Sequence, residues 1–248
     1  MNNRNFWAAI PPVTKNLIII NFAIWLLMML APVSLQDKLM HFCGLHFWGA
    51  SDFNPAQLLT YMFMHSTGSF AHILFNMFTL FMFGITLERV LGSQRYLFYY
   101  ISCGIGAALI QEIVWQLTWV DILAGWINSS YGSGIEEAKE VIRQAHNMGK
   151  SIPVLNSLVT IGASGAIYGV LLAFGMIFPN RPLFLMFVPV PIKAKWMVIG
   201  YGVLELLIGL SSANDGVAHF AHLGGMIFGF FMIWYWKKKK GVVHGDFY

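Results

Sequence analysis

The amino-acid sequence predicts an all-α membrane protein, a bundle of six transmembrane helices, and three observations predict it. Hydrophobic residues fill 57% of the 248 positions and charged residues only 10%, where a soluble domain carries about a quarter charged. Six apolar segments recur along the chain, separated by prolines, glycines and charges. The lysines and arginines gather at alternate connections between those segments, as they do in polytopic proteins. The length suits one compact unit without a large soluble appendage. The chain divides into a tail at 1–15, a membrane domain at 16–236 and a basic tail at 237–248.

The first span is Asn16–Leu30, closed by Ala31-Pro32. Pro32 directly after Ala31, with no small-x-small cleavage site, reads as a retained span rather than a removable leader. Ser34–Ser66 mixes Phe, Trp, Leu and His with Asp37, Lys38 and Asp52, which suits a structure lying in the headgroup region. The second span is Ser69–Leu87, ended by Glu88-Arg89, a pair expected to tie helices together at that end. The third is Tyr96–Trp119. Val120–Asn156 is the most polar stretch and reads first as a solvated surface segment, with a short amphipathic helix around 135–148 as the alternative. The fourth span, Ser157–Phe178, stops at Pro179-Asn180-Arg181-Pro182. Leu183–Pro191 reads as a proline-interrupted connector, Trp196–Ser211 as the fifth span and Ser212–Gly216 as a tight loop. The sixth span, Val217–Trp236, is about 30 Å long at the helical rise, enough to cross the hydrocarbon.

Six spans put both termini on one side. Arg4, Lys15, Arg89, Arg95, Arg181, Lys193, Lys195 and Lys237 to Lys240 fall there, eleven cations, against Lys38, Lys139, Arg143 and Lys150 on the other. The positive-inside rule makes the first side cytoplasmic, as in a bacterial inner membrane. The modest net charge of +4 fits anionic headgroups of a lipid bilayer and gives no reason to expect nucleic acid. Cys43, expected in a loop, and Cys103, within the third span, make no disulfide framework.

Spans two, four and six run from outside to inside, and each carries polar residues near its start. These are His72 and Asn76, then Ser164, then His219 and His222. Ionisable groups are costly in a bilayer, so their coincidence in depth points to a functional site. Gly165 and Gly169 in the fourth span, and Gly225 and Gly229 in the sixth, are each four apart, which lets two backbones approach closely. Ser164 precedes Gly165, and His222 lies one turn before Gly225, so that contact would bring serine and histidine together. Such a histidine can take the serine proton and make the hydroxyl a nucleophile. Backbone N–H groups beside Ser164, including that of Ala163, with Asn76 and His72, can hold the oxyanion. Tyr168, four after Ser164, can stack on the His222 ring. Glu205 is a lone carboxylate in the fifth span, either structural or part of gating. Asp215, in the loop seven residues before His222, is a weak candidate for an orienting group, which leaves a Ser–His dyad as the expected machinery.

Taken together, these motifs resemble the rhomboid family of intramembrane serine proteases. The likeness rests on Gly162-Ala163-Ser164-Gly165 with Tyr168, on His72-Ile73-Leu74-Phe75-Asn76 followed by Leu87-Glu88-Arg89-Val90-Leu91-Gly92, and on Ala221-His222-Leu223-Gly224-Gly225 with Gly229. It covers residues 40 to 236 in the family's order. The resemblance implies a six-helix rhomboid-like bundle, with Ser164 as nucleophile and His222 as general base. It implies His72 and Asn76 on the oxyanion side and Gly162 in the loop beside the serine. Substrates would be membrane-anchored proteins cut in or near their transmembrane segments, without metal, nucleotide or other cofactor. The fifth span would resemble the gate that admits them. The long connection between spans three and four, and the seven-residue offset of His65 from His72, depart from the family pattern.

Two rival functions compete with proteolysis. A non-catalytic rhomboid-like protein that binds membrane clients would lack the serine or the histidine, and both are present. A small transporter would show paired broken repeats. His219-x-x-His222 alone does not make a metal site without a third ligand.

Overall fold

The computed structural model describes residues 6–132, 134–148, 153–185, 188–211 and 218–239. Arg4, Lys150, Asp215, the 212–216 loop and the basic tail from Lys240 lie outside the described residues. A single turn, α1 (Phe6–Ala9), leads into α2 (Pro12–Leu30). Proline opens α2 because the first turn has no internal acceptor for its N–H. The remaining donors of that turn are met from a distance. Glu88 accepts from the Val13 and Thr14 N–H groups at 2.9 and 2.7 Å and from the Thr14 hydroxyl at 2.8 Å. A carboxylate at a helix N-terminus also complements the dipole. Arg89 donates to the Ala9 carbonyl at 2.7 Å, so the Glu88-Arg89 pair joins the second span to the first.

After Pro32, α3 (Val33–Cys43) and a short strand, β1 (Leu45–His46), lead through α4 (Gln57–Thr60) to the second span. Gln57 organises this segment: it accepts from the His46 N–H at 3.2 Å and donates to the His41 and Asp52 carbonyls, each at 2.9 Å. Cys43 closes α3 instead of lying in a loop, and both cysteines are free thiols. The second span is α5 (Phe70–Thr79), a π-helical segment (Leu80–Gly84) and α6 (Ile85–Leu91).

The third span departs from expectation. It is α7 (Ser93–Tyr131), 39 residues rather than Tyr96–Trp119. Polar side chains past Trp119 do not interrupt it, because they fall where α8 (Ile135–Asn147) packs on its C-terminal end. Ala138 and Ile142 are the buried face of α8, and Lys139 reaches Asp121 and Glu136 at 2.9 Å each. Those two carboxylates raise the Lys139 ammonium above its ordinary range. Gly132, at φ 66°, ends α7 in the left-handed conformation that glycine tolerates.

The fourth span is also redrawn. α9 runs Ser164–Ile177, not Ser157–Phe178, so Ser164 opens the helix instead of lying two turns inside it. The preceding residues form β2 (Val159–Thr160), paired antiparallel with β1. Fourteen residues cover about 21 Å, short of the roughly 30 Å of hydrocarbon. The expected connector at Leu183–Pro191 is a hairpin, β3 (Pro182–Leu185) with β4 (Val188–Lys193). It leads to α10 (Ala194–Leu210) and then α11 (His219–Lys238).

All-α membrane architecture is thus the finding. Among the described residues, Pro12–Leu30, Phe70–Leu91 and Ser93–Tyr131 are long and apolar enough to cross a membrane. α9 sits at the centre, between α7 and α11. At its Gly165 and Gly169 the neighbouring backbones come close: a Cβ on Gly225 would collide with the Gly165 carbonyl oxygen, and one on Gly169 would lie 3.0 Å from the Gly225 oxygen. Tyr99 locks the same crossing by donating to the Gly169 carbonyl at 2.6 Å.

Gly225→Ala is therefore expected to destabilise the bundle by about 1–3 kcal/mol, the usual cost of overpacking. Gly125→Ala in α7, where a Cβ meets nothing within 4 Å, should be neutral or stabilising by about 0.5–1 kcal/mol. Thermal unfolding in detergent ranks the two, and the reverse order would contradict this packing.

Candidate active site

The loop before Ser164 is held on both sides. Pairing of Leu45 with Thr160 and of His46 with Val159, extended by the Phe47 N–H to the Leu158 carbonyl at 3.0 Å, fixes residues 158–160. Gly162 then takes φ 128°, which a side chain would strain, and donates its N–H to the Tyr61 carbonyl at 3.0 Å. Tyr61 is itself anchored by its hydroxyl to the Gly104 carbonyl at 2.8 Å. A Cβ on Gly162 would come within 2.8 Å of the His72 ring and 3.7 Å of the Ser164 Oγ. Glycine is thus required by conformation and by space.

α9 begins at this point. As the cap and first residues of a helix, Ala163, Ser164 and Gly165 carry N–H groups that have no acceptor within the helix. The positive end of the helix dipole lies there too. From α11, His222 brings its Nε2 to 2.7 Å from the Ser164 Oγ. The Tyr168 ring stacks on the imidazole at 4.2 Å between centroids and 6° between planes. Serine, histidine and tyrosine therefore lie together beside the Gly165–Gly225 contact.

His72 and Asn76 come from α5. Asn76 is buried, and its Nδ2 donates to the His72 carbonyl at 2.9 Å, leaving a second N–H to give. The fully buried His65 ring lies 5.1 Å from that of His72 and backs it from the loop side.

Beside the serine–histidine pair the structure places a carboxylate that the sequence does not assign to the site. Glu205, from α10, lies against the other side of His222. Its Oε2 is 2.9 Å from the His222 Nδ1 and accepts from the His219 Nδ1 at 2.6 Å. Its Oε1 accepts from the Tyr168 hydroxyl. The His222 contact has the length of a hydrogen bond but not its direction, because the Nδ1 has no acceptor along its N–H axis. It is a close electrostatic contact in the resting geometry. The sequence marks Glu205 as anomalous but does not place it, since its three partners lie on two other helices. Asp215, the carboxylate that the sequence offers as a weak candidate for an orienting group, lies outside the described residues.

Glu205, His219 and His222 each offer an atom within 4.8 Å of the others, so these three could hold a metal ion. Spacing along the sequence offers no carboxylate to join the two histidines. In this arrangement the carboxylate is already satisfied by the tyrosine and His219.

Comparison with known proteins agrees with the architecture. Residues 52–239 match the Rhomboid domain family. The chain is similar to the Rhomboid protease AarA of Providencia stuartii, 28% identical over 175 residues, which is 68% of this chain and 51% of that protein. It is also similar to the mitochondrial Rhomboid protein 1 of Saccharomyces cerevisiae, 27% identical over 169 residues, or 68% of this chain and 39% of that protein. The chain thus spans about half or less of the length of these relatives. Every residue of the serine–histidine site falls inside the matched region, and the chain belongs to the rhomboid family of integral membrane proteins.

Proposed function

We propose that this protein is an intramembrane serine endopeptidase that cuts membrane-anchored proteins in or near their transmembrane segments. The observation that carries the reading is the 2.7 Å approach of the His222 Nε2 to the Ser164 Oγ at the N-terminus of a central helix. Serine as the first residue of α9 puts the nucleophile beside backbone donors, and histidine supplies the base in direct contact.

The Ser164 Oγ attacks the scissile carbonyl while the His222 Nε2 takes its proton. The negative charge that develops on the carbonyl oxygen is held by N–H groups at the start of α9, among them those of Ala163 and Ser164. Asn76 and His72 act from the facing helix. His222 returns the proton to the leaving amine, and an ester forms on Ser164. Water, deprotonated by His222, attacks the ester and frees the serine. The stacked Tyr168 ring keeps the imidazole in plane through both steps. Gly162 keeps the loop open for the substrate carbonyl. Both donors and base are in place before reaction, so little reorganisation is needed.

Both termini face the cytoplasm of a bacterial inner membrane, as the eleven-to-four division of Lys and Arg supports. The six helices α2, α5–α6, α7, α9, α10 and α11 form the membrane bundle, with the short α9 starting at Ser164 inside it. The membrane domain occupies 16–236, with tails at 1–15 and 237–248. The substrate enters past α10.

The test is cleavage of a tagged single-span reporter in liposomes. Ser164→Ala and His222→Ala should each lower kcat by at least about a thousandfold, and a fluorophosphonate should label Ser164 in the wild type alone. Equal cleavage by all three proteins would refute the assignment. Chelation with EDTA should leave the wild-type rate unchanged, and a rate abolished by EDTA and restored by zinc would make the Glu205–His219–His222 cluster a working metal site instead.

A further inference from the structure

The third partner of His222 arrives on the least embedded helix of the bundle. α10 turns Trp196, Ile199, Val203, Leu204, Leu207 and Leu210 outward. Its buried residues are Ala194, Met197 and Val198 at one end and Glu205 near the other. The first three pack on α9, where Val198 touches the Gly175 position. Beyond them, Met226 lies over Gly202, His219 and Phe220 over Gly209, and Tyr201 meets the Tyr168 ring edge-on at 6.5 Å. This half of α10 also carries a polar attachment. One carboxylate receives the Tyr168 hydroxyl of α9 and the His219 ring of α11, and it lies against the His222 ring of α11. A carboxylate on a lipid-facing helix is costly, and a purely structural fastening needs no such group.

The order of contacts along His222 is chemically specific. Its Nε2 faces the Ser164 Oγ, and its Nδ1 faces the Glu205 carboxylate. A carboxylate on that side favours the tautomer with hydrogen on Nδ1, which leaves the Nε2 lone pair free to take the serine proton. It also stabilises the imidazolium that then forms.

Building on the protease reading, we propose that Glu205 is a positioning residue of a Ser164–His222–Glu205 triad, and that it makes catalysis conditional on α10 being packed against α9 and α11. The serine and histidine belong to the rigid centre of the bundle. The carboxylate belongs to the wall. Any displacement of α10 from α9 and α11 therefore takes the orienting charge away from His222 and leaves Ser164 without an activated base.

The test compares wild type with Glu205→Gln, Glu205→Asp and, as an outward-facing control on the same helix, Leu207→Ala. Two rates are read: reporter cleavage in liposomes, resolved into kcat and KM, and labelling of Ser164 by a small fluorophosphonate that needs no gate. Glu205→Gln should lower kcat and the labelling rate together, by about a hundredfold or more, with KM within about threefold. Glu205→Asp keeps the charge and should recover about tenfold of that loss, and Leu207→Ala should match wild type. A Glu205→Gln protein that labels at the wild-type rate, with only KM altered, would reduce Glu205 to a fastener of α10 and overturn the proposal. Should Glu205→Gln not fold, Glu205→Asp decides alone: labelling slowed about tenfold at unchanged KM supports the triad, and wild-type labelling overturns it. A wild type that neither cleaves nor labels removes the protease reading itself, and with it this proposal, whereas an active wild type with indifferent Glu205 variants removes the triad alone.

Discussion

Everything in this molecule that resembles a site depends on how closely α9 and α11 approach. Glycines at 165, 169, 225 and 229 remove the side chains that would hold the two backbones apart, and no other residue fits at Gly225 without displacing the Gly165 carbonyl. In a bilayer this contact gains little from the hydrophobic effect, because lipid is as apolar as the helix it replaces. Dispersion between backbones holds it instead, and Tyr99 of α7 braces it from outside, donating to the Gly169 carbonyl of α9 and lying against Gly229 of α11. The closeness then sets a second distance. Ser164 and His222 sit one residue and one turn from the glycine contact, so their side chains meet without having to reach.

The same region concentrates costs that apolar packing cannot offset. Glu205, His219, His222, His72 and Asn76 all carry polar groups into the bundle. Each buried donor or acceptor needs a partner. The structure meets part of that need by linking helices, Tyr168 and His219 to Glu205, and part within one helix, Asn76 to the His72 carbonyl. Glu88 does the same at the other end of the molecule, where one carboxylate serves the first turn of α2 and the Ser93 hydroxyl. The two carboxylates differ in consequence. Glu88 joins helices packed in the bundle, while Glu205 connects an outer helix to the histidine that touches the serine.

Much of this is legible in the sequence, and what is not has physical reasons. Ser164 and His222 stand out because small residues four apart specify a helix face without any knowledge of the fold. The start of α9 is hidden because Ser157–Phe178 is apolar almost throughout, and periodicity cannot show that residues 159 and 160 pair with a strand more than a hundred residues earlier. Gly162 is conspicuous for its place beside the serine, but its role in breaking the helix lies in a backbone angle. The length of α7 is masked because charge past Trp119 resembles a boundary, although Gly132, a helix-ending glycine, marks the true end. Glu205 is visible as an isolated carboxylate in a span and nothing more. Its partners at positions 168, 219 and 222 lie on two other helices, and spacing along one chain does not say which faces meet.

The most direct measurement is the rate at which a fluorophosphonate labels Ser164 in Gly225→Ala, taken well below its unfolding temperature with helical content confirmed by circular dichroism. If the glycine contact sets the serine–histidine distance, labelling should fall by at least about tenfold while the helices remain intact, since even an ångström of misplacement costs heavily in such chemistry. Labelling at the wild-type rate in a folded Gly225→Ala protein would contradict that dependence, because Ser164 would then meet His222 without the close approach of their helices.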